Sequence, residues 1–85
     1  MGVGGTLQEL KRVRALRKLL ELDESRSYRY SEIVGVLVEE GLSSSYAVSL
    51  LLELANYYKA LTRVDYGRYK INKDRIRELL EKMES

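Results

Sequence analysis

The spacing of apolar residues changes period along the chain, and each change marks an element. Leu10, Val13, Leu16 and Leu20 recur at helical spacing, which predicts a first helix over residues 7–22. Ala15, Leu19 and Leu22 form a second apolar strip on that helix, as expected of one that packs on two partners. The second partner is either the last helix of the chain or another subunit. Residues 23–27 are polar, and Tyr28-Arg29-Tyr30 reads as a short β-favouring stretch. Ser31 is the expected cap of a second helix reaching about residue 40, with Glu32 near its positive end and Gly41 as a left-handed stop.

Ser43 or Ser44 caps a third helix, and Leu42 is placed to staple onto Ala47 or Val48. Its apolar stripe is Ala47, Leu50, Leu51, Leu54, Tyr58 and Leu61, gathered within about 100° of arc. Ser45, Ser49, Leu52, Glu53, Asn56 and Lys59 fall on the opposite face. The period then becomes alternating. Residues 61–64 and 69–71 read as two strands joined by the turn Asp65-Tyr66-Gly67-Arg68, where Gly67 can take positive φ. Asn72 caps a final helix over residues 73–84, with Ile76, Leu79, Leu80 and Met83 on one face. Glu78 and Lys82 are spaced as an i,i+4 ion pair.

The resulting order is helix, strand, helix, tight turn, helix, hairpin, helix. Residues 28–72 resemble the winged helix-turn-helix family in four stretches: YRYSEIVGVLVEEG, the turn GLSSS, YAVSLLLELANYYKALTRV and DYGRYKIN. The resemblance covers about half the chain, and the flanking helices suit the family. It implies a mainly α fold with a small β-hairpin, forming one domain over residues 7–85 with its wing at 61–71. Residues 1–6, short and glycine-rich, read as a flexible lead-in. The chain's style, rich in Lys, Arg and Glu without Cys or His, is similar to small stand-alone winged helices of hyperthermophilic archaea.

The resemblance also implies a partner, double-stranded DNA, and a role as a small transcriptional regulator. In the family the third helix enters the major groove and the wing touches the neighbouring backbone. On this sequence Ser43, Ser44 and Ser45 then meet a phosphate at the helix start. Tyr46, Ser49 and Asn56 face the groove, Asn56 being able to pair with adenine. Arg63, Arg68 and Lys70 neutralise phosphates from the wing, and Tyr66 at its tip stacks on a base or sugar. Family members often pair through terminal helices, so a homodimer through Ala15, Leu19, Leu22 and Met83 is a further expectation.

Composition narrows the chemistry. The chain has no histidine and no cysteine, which removes the commonest general base, the commonest metal ligand and any disulfide. No glycine-rich phosphate loop precedes a helix, and no carboxylate pair stands out, so neither catalysis, a metal nor a cofactor is expected. No apolar run approaches the ~20 residues of a membrane span, and the absence of cysteine suits the cytoplasm. All aromatic residues are tyrosines; Tyr58 and Tyr69 are expected in the core and Tyr66 at the surface.

Charge qualifies the DNA reading. The net charge is only +2. Positive charge gathers in the first helix, where residues 1–27 carry six cations against four anions, and in residues 61–73, with four against one, whereas residues 28–60 carry two cations against four anions. The presumed recognition helix holds no arginine, and Glu53 sits on its outward face. Phosphate neutralisation supplies much of DNA affinity, so the wing is expected to dominate any binding. The alternative is a winged-helix protein-interaction module, an accessory subunit of a larger assembly, using the apolar and nearly neutral third helix.

Overall fold

The computed structural model describes residues 7–84; the expectation for residues 1–6 lies outside them. Among the described residues the chain forms four helices and three strands. The first helix, α1 (Leu7–Leu19), turns Ala15, Leu16 and Leu19 fully into the core while Arg14, Arg17 and Lys18 face water. It ends before Leu22 because its last turn tightens. The N–H groups of Leu20, Glu21 and Leu22 bond carbonyls three residues back at 3.0–3.1 Å.

Asp23 then fixes the exit. Its carboxylate accepts from the Ser25 N–H at 2.9 Å and the Ser25 hydroxyl at 2.7 Å, which holds its pKa below the ordinary aspartate range. Its own N–H donates to the Tyr28 hydroxyl at 2.9 Å.

Strand β1 is Ser27–Arg29, one residue earlier than the composition suggests, and α2 (Tyr30–Glu39) follows without a linker. Ser31 is therefore not the cap but a residue of the first turn. Pairing with the later hairpin holds Arg29 extended, at φ −71° and ψ 152°, so the helix starts where the strand stops. The Glu32 carboxylate reaches back to accept the Arg29 N–H at 3.0 Å. Gly41 ends the second helix region at φ +102°, and a Cβ there would lie 3.2 Å from Cδ of Lys11. The positive φ favours glycine at that turn, and the Lys11 side chain leaves little room for a Cβ.

Helix α3 (Ser44–Asn56) is capped by Ser43, whose Oγ accepts the Tyr46 N–H at 3.2 Å. Leu42 is buried just before it. The helix stops earlier than its apolar stripe predicts. The Tyr58 N–H reaches back five residues to the Glu53 carbonyl at 3.0 Å, and Lys59 turns left-handed at φ +58°. The Ala60 N–H then closes on the Leu54 carbonyl at 2.7 Å. Tyr58 and Leu61 still pack on the core, but from the connection and from the next strand, and Lys59 is not on the outward helix face.

Strands β2 (Leu61–Asp65) and β3 (Arg68–Ile71) form the hairpin, and β1 adds to the far side of β3. The sheet order is β1-β3-β2, antiparallel throughout. Tyr28 pairs with Tyr69 and Leu61 with Ile71, which puts these four buried side chains on the core side. The ladder skips Val64, so β2 bulges before the turn. Asn72 donates its N–H to the Ala60 carbonyl at 2.8 Å at the hairpin base.

Helix α4 (Lys73–Glu84) begins as predicted, with Asn72 Oδ1 accepting the Arg75 N–H at 3.3 Å. The Glu24 carboxylate accepts the Lys73 N–H at 3.2 Å and ties the loop after α1 to this helix start. Glu78 pairs with Arg75 at 3.6 Å, one turn before it rather than after.

Helix α1 packs on both α2 and α4, and its second apolar strip is turned into the monomer's own core. Ala15 and Leu19 are fully buried, and Leu22 and Met83 pack half-buried on the same core. The four residues expected at a dimer seam thus belong to the monomer's interior and its margin. Among the described residues no helix is long and apolar enough to cross a membrane.

The left-handed Lys59 gives a direct check on the α3 terminus. A residue with a Cβ is disfavoured there by about 1–2 kcal/mol, and glycine's larger unfolded-state entropy offsets part of the gain from replacing it. Lys59→Gly is expected to raise stability by about 0.5–1 kcal/mol in urea unfolding; a lowered midpoint would contradict the αL terminus.

Candidate nucleic-acid interface

Three surfaces carry the predicted contact residues, and the fold treats them differently. At the start of α3, Ser43, Ser44 and Ser45 are all exposed. Ser43 Oγ is already engaged in capping, while Ser44 and Ser45 present the first turn of the helix to solvent. Along the outward face Ser49 and Asn56 are exposed, as expected, together with Leu52 and Glu53. Tyr46 departs from the prediction: it is half-buried and packs on the core.

Glu53 is less isolated than its position in the sequence implies. Arg12 of α1 comes across to α3 and donates from Nη2 to the Tyr58 hydroxyl at 3.4 Å. Burial disfavours the Arg12 cation, but the Tyr58 hydroxyl, Tyr46 and Glu53 outweigh it, so the guanidinium pKa is raised. Its buried Nε has no hydrogen-bond partner. Arg12 thus brings a cation from α1 to the side of α3 that carries Tyr46 and Glu53. Nothing local in the sequence signals this, because the contact joins distant segments.

The hairpin carries three cations against one anion, second to α1, where Lys11, Arg12, Arg14, Arg17 and Lys18 gather. Gly67 takes φ +69° at the turn, and the Asp65 carboxylate accepts the Tyr66 N–H at 2.7 Å. Tyr66 is 88% exposed, and the Arg63 guanidinium lies over its ring, 5.6 Å from the centroid. Arg63 and Lys70 are exposed and Arg68 is half-buried. The hairpin is also anchored: the Tyr30 N–H at the start of α2 donates to the Gly67 carbonyl at 2.9 Å. None of Arg63, Arg68 and Lys70 forms an ion pair within 4.0 Å among the described residues.

The structure adds Arg29, which sequence reasoning left as part of a strand. It is exposed on β1, directly opposite Arg68 on β3. Only the pairing register of β1 and β3 brings the two together. A shallow groove of about 340 Å³ lies elsewhere, between the end of α3 and α4. Its lining includes Tyr57 and Tyr58, packed edge to face at 4.8 Å, and the ion-paired Arg75 and Glu78. Among the described residues no group of three or more potential metal ligands comes together.

No protein-family model, no curated protein and no solved structure matches the chain.

The two tyrosines of the hairpin separate surface from core. Tyr66→Ala is expected to change stability by no more than about 0.5 kcal/mol, because the ring touches little. Tyr69→Ala, which empties a buried site beside Tyr28, is expected to cost about 3 kcal/mol. Chemical unfolding of both variants measures the difference; an equal loss at Tyr66 would mean that the tip is committed to packing.

Proposed function

We propose that the chain is a winged helix-turn-helix domain that binds duplex DNA, in the manner of a small transcriptional regulator, with the β2–β3 hairpin as its wing. The observation that carries this reading is a rigidly anchored hairpin bearing three cations without ion-pair partners next to an exposed tyrosine. Charged groups at a hairpin gain nothing from packing, whereas a phosphate backbone rewards each neutralised contact. The element order and the β1-β3-β2 sheet support the same reading.

Two tasks divide between two elements. Arg63, Arg68 and Lys70 supply affinity through phosphates, a contribution that carries no sequence information. Helix α3 supplies neutral hydrogen-bonding groups: Ser44 and Ser45 at its start, Ser49 and Asn56 along its outward face. Asn56 has the fork of donor and acceptor that matches adenine. Because Ala15 and Leu19 are spent on the core, the proposed unit of binding is one domain.

Binding to a random-sequence duplex at two or more salt concentrations tests the reading. Affinity should fall steeply with salt, and Lys70→Ala should reduce the slope of log K against log salt by about one. Absence of binding by the wild-type chain at low salt would overturn it. A protein partner would then be the better account, with Leu52, 44% exposed on a helix face without cations, as the surface to test.

A further inference from the structure

The sheet places like charges where strand pairing alone would not. Arg29 stands opposite Arg68, and Ser27 opposite Lys70. Residues directly opposed on antiparallel strands project to the same face, with Cβ atoms about 4.5–5.5 Å apart and diagonal neighbours about 7–8 Å apart. Tyr28, Tyr69 and Ile71 occupy the core side of these strands. Arg29, Arg68 and Lys70 therefore share the side that faces water.

Like charges directly opposed on a sheet are destabilising, and among the described residues neither arginine forms an ion pair. Asp65 pairs opposite Arg68 on β2, but its carboxylate accepts the Tyr66 N–H and lies beyond 4.0 Å of any cation among the described residues. The carboxylate of Glu32 is engaged by the backbone N–H of Arg29. The arrangement is also held in place. The bond from the Tyr30 N–H to the Gly67 carbonyl fastens the residue after Arg29 to the residue before Arg68. Arg29 and Arg68 are thus held opposite each other at the turn end of the sheet, and neither forms an ion pair within 4.0 Å among the described residues.

We infer that Arg29 and Arg68 close together on one phosphate of the DNA backbone, with Lys70 on an adjacent phosphate. Each guanidinium presents a planar fork of N–H donors that matches phosphate oxygens. A phosphate between them replaces repulsion with two charge-assisted contacts. The inference rests on the DNA reading for its ligand, and it adds a residue from β1 to the wing. It also gives the duplex a line of approach, at the turn end of the sheet, where Arg29, Arg68 and Lys70 share the outer face and Arg63, opposite Tyr69, reaches from the other.

The variants Arg29→Gln, Arg68→Gln and the double variant test it in the full chain. Each single change should weaken binding to a random-sequence duplex. The double change should lower the salt slope by about one in total, because one phosphate is lost. A drop of about two would mean separate phosphates, and unchanged affinity in Arg29→Gln would remove β1 from the site; either overturns the clamp. Thermal melts at low salt should find the double variant no less stable than wild type, since repulsion is relieved. A clear loss of stability would mean that the arginines serve the fold and would overturn the inference.

Should the wild-type chain bind no DNA, inorganic pyrophosphate decides. A rise in Tm of about 2 °C or more at millimolar pyrophosphate and constant ionic strength, absent in the double variant, upholds the anion clamp while the DNA reading falls. No rise, or an equal rise in the double variant, overturns both.

Discussion

Three residue pairs between β1 and β3 tie the first half of the chain to the second, and the rest of the arrangement depends on them. They seat Tyr28 against Tyr69 at the edge of the core. They hold Arg29 extended, so that α2 begins at Tyr30 and the Tyr30 N–H meets the Gly67 carbonyl. A three-residue strand has little stability of its own. Its pairing survives because both tyrosines are buried and because the helix that follows is packed on α1 and α3. In return it stiffens the hairpin, which would otherwise be a two-stranded ribbon attached only at its base.

That stiffness matters for the distribution of charge. A mobile arginine loses side-chain and backbone entropy on binding a phosphate; one on a tethered turn has less to lose. The hairpin is one place where cations stand without ion pairs, Lys11 and Arg14 of α1 being others among the described residues, while α3 carries no cation and one outward carboxylate, Glu53. In the proposed reading affinity and selectivity are divided between elements, α3 offering hydroxyls and an amide to base edges while the hairpin holds the backbone.

Much of the architecture was legible in the sequence, because it rests on short-range physics. Helical spacing found the buried faces of α3 and α4; on α1 Ala15 and Leu19 of the second strip are fully buried with Leu16, whereas Leu10 of the first is 55% exposed. Ser43 and Asn72 cap as expected, and Gly41 and Gly67 take the left-handed conformations their positions require. What the sequence did not show follows from contacts between distant segments. Ser31 has the chemistry of a cap, but strand pairing one residue earlier fixes the helix start. The α3 stripe continues through Tyr58 and Leu61 in periodicity, yet the chain leaves the helix at Asn56 and delivers those residues from other elements. Ala15 and Leu19 read equally well as an interface with a subunit or with α4, and only packing decides between them. Of the candidate site, Arg63, Tyr66 and Arg68 were visible as a cluster near a glycine turn; Arg29 was not, because its neighbour Arg68 is set by register.

The central claim is that the hairpin and its neighbour on β1, rather than α3, carry the contact with DNA. Titrating the isotope-labelled chain with a short random-sequence duplex and following backbone amide resonances tests it most directly. The account predicts the largest shifts at Arg29, Arg63, Tyr66, Arg68 and Lys70, with smaller ones at Ser44, Ser45, Ser49 and Asn56. Shifts confined to the outward face of α3, with the hairpin resonances unmoved, would contradict it.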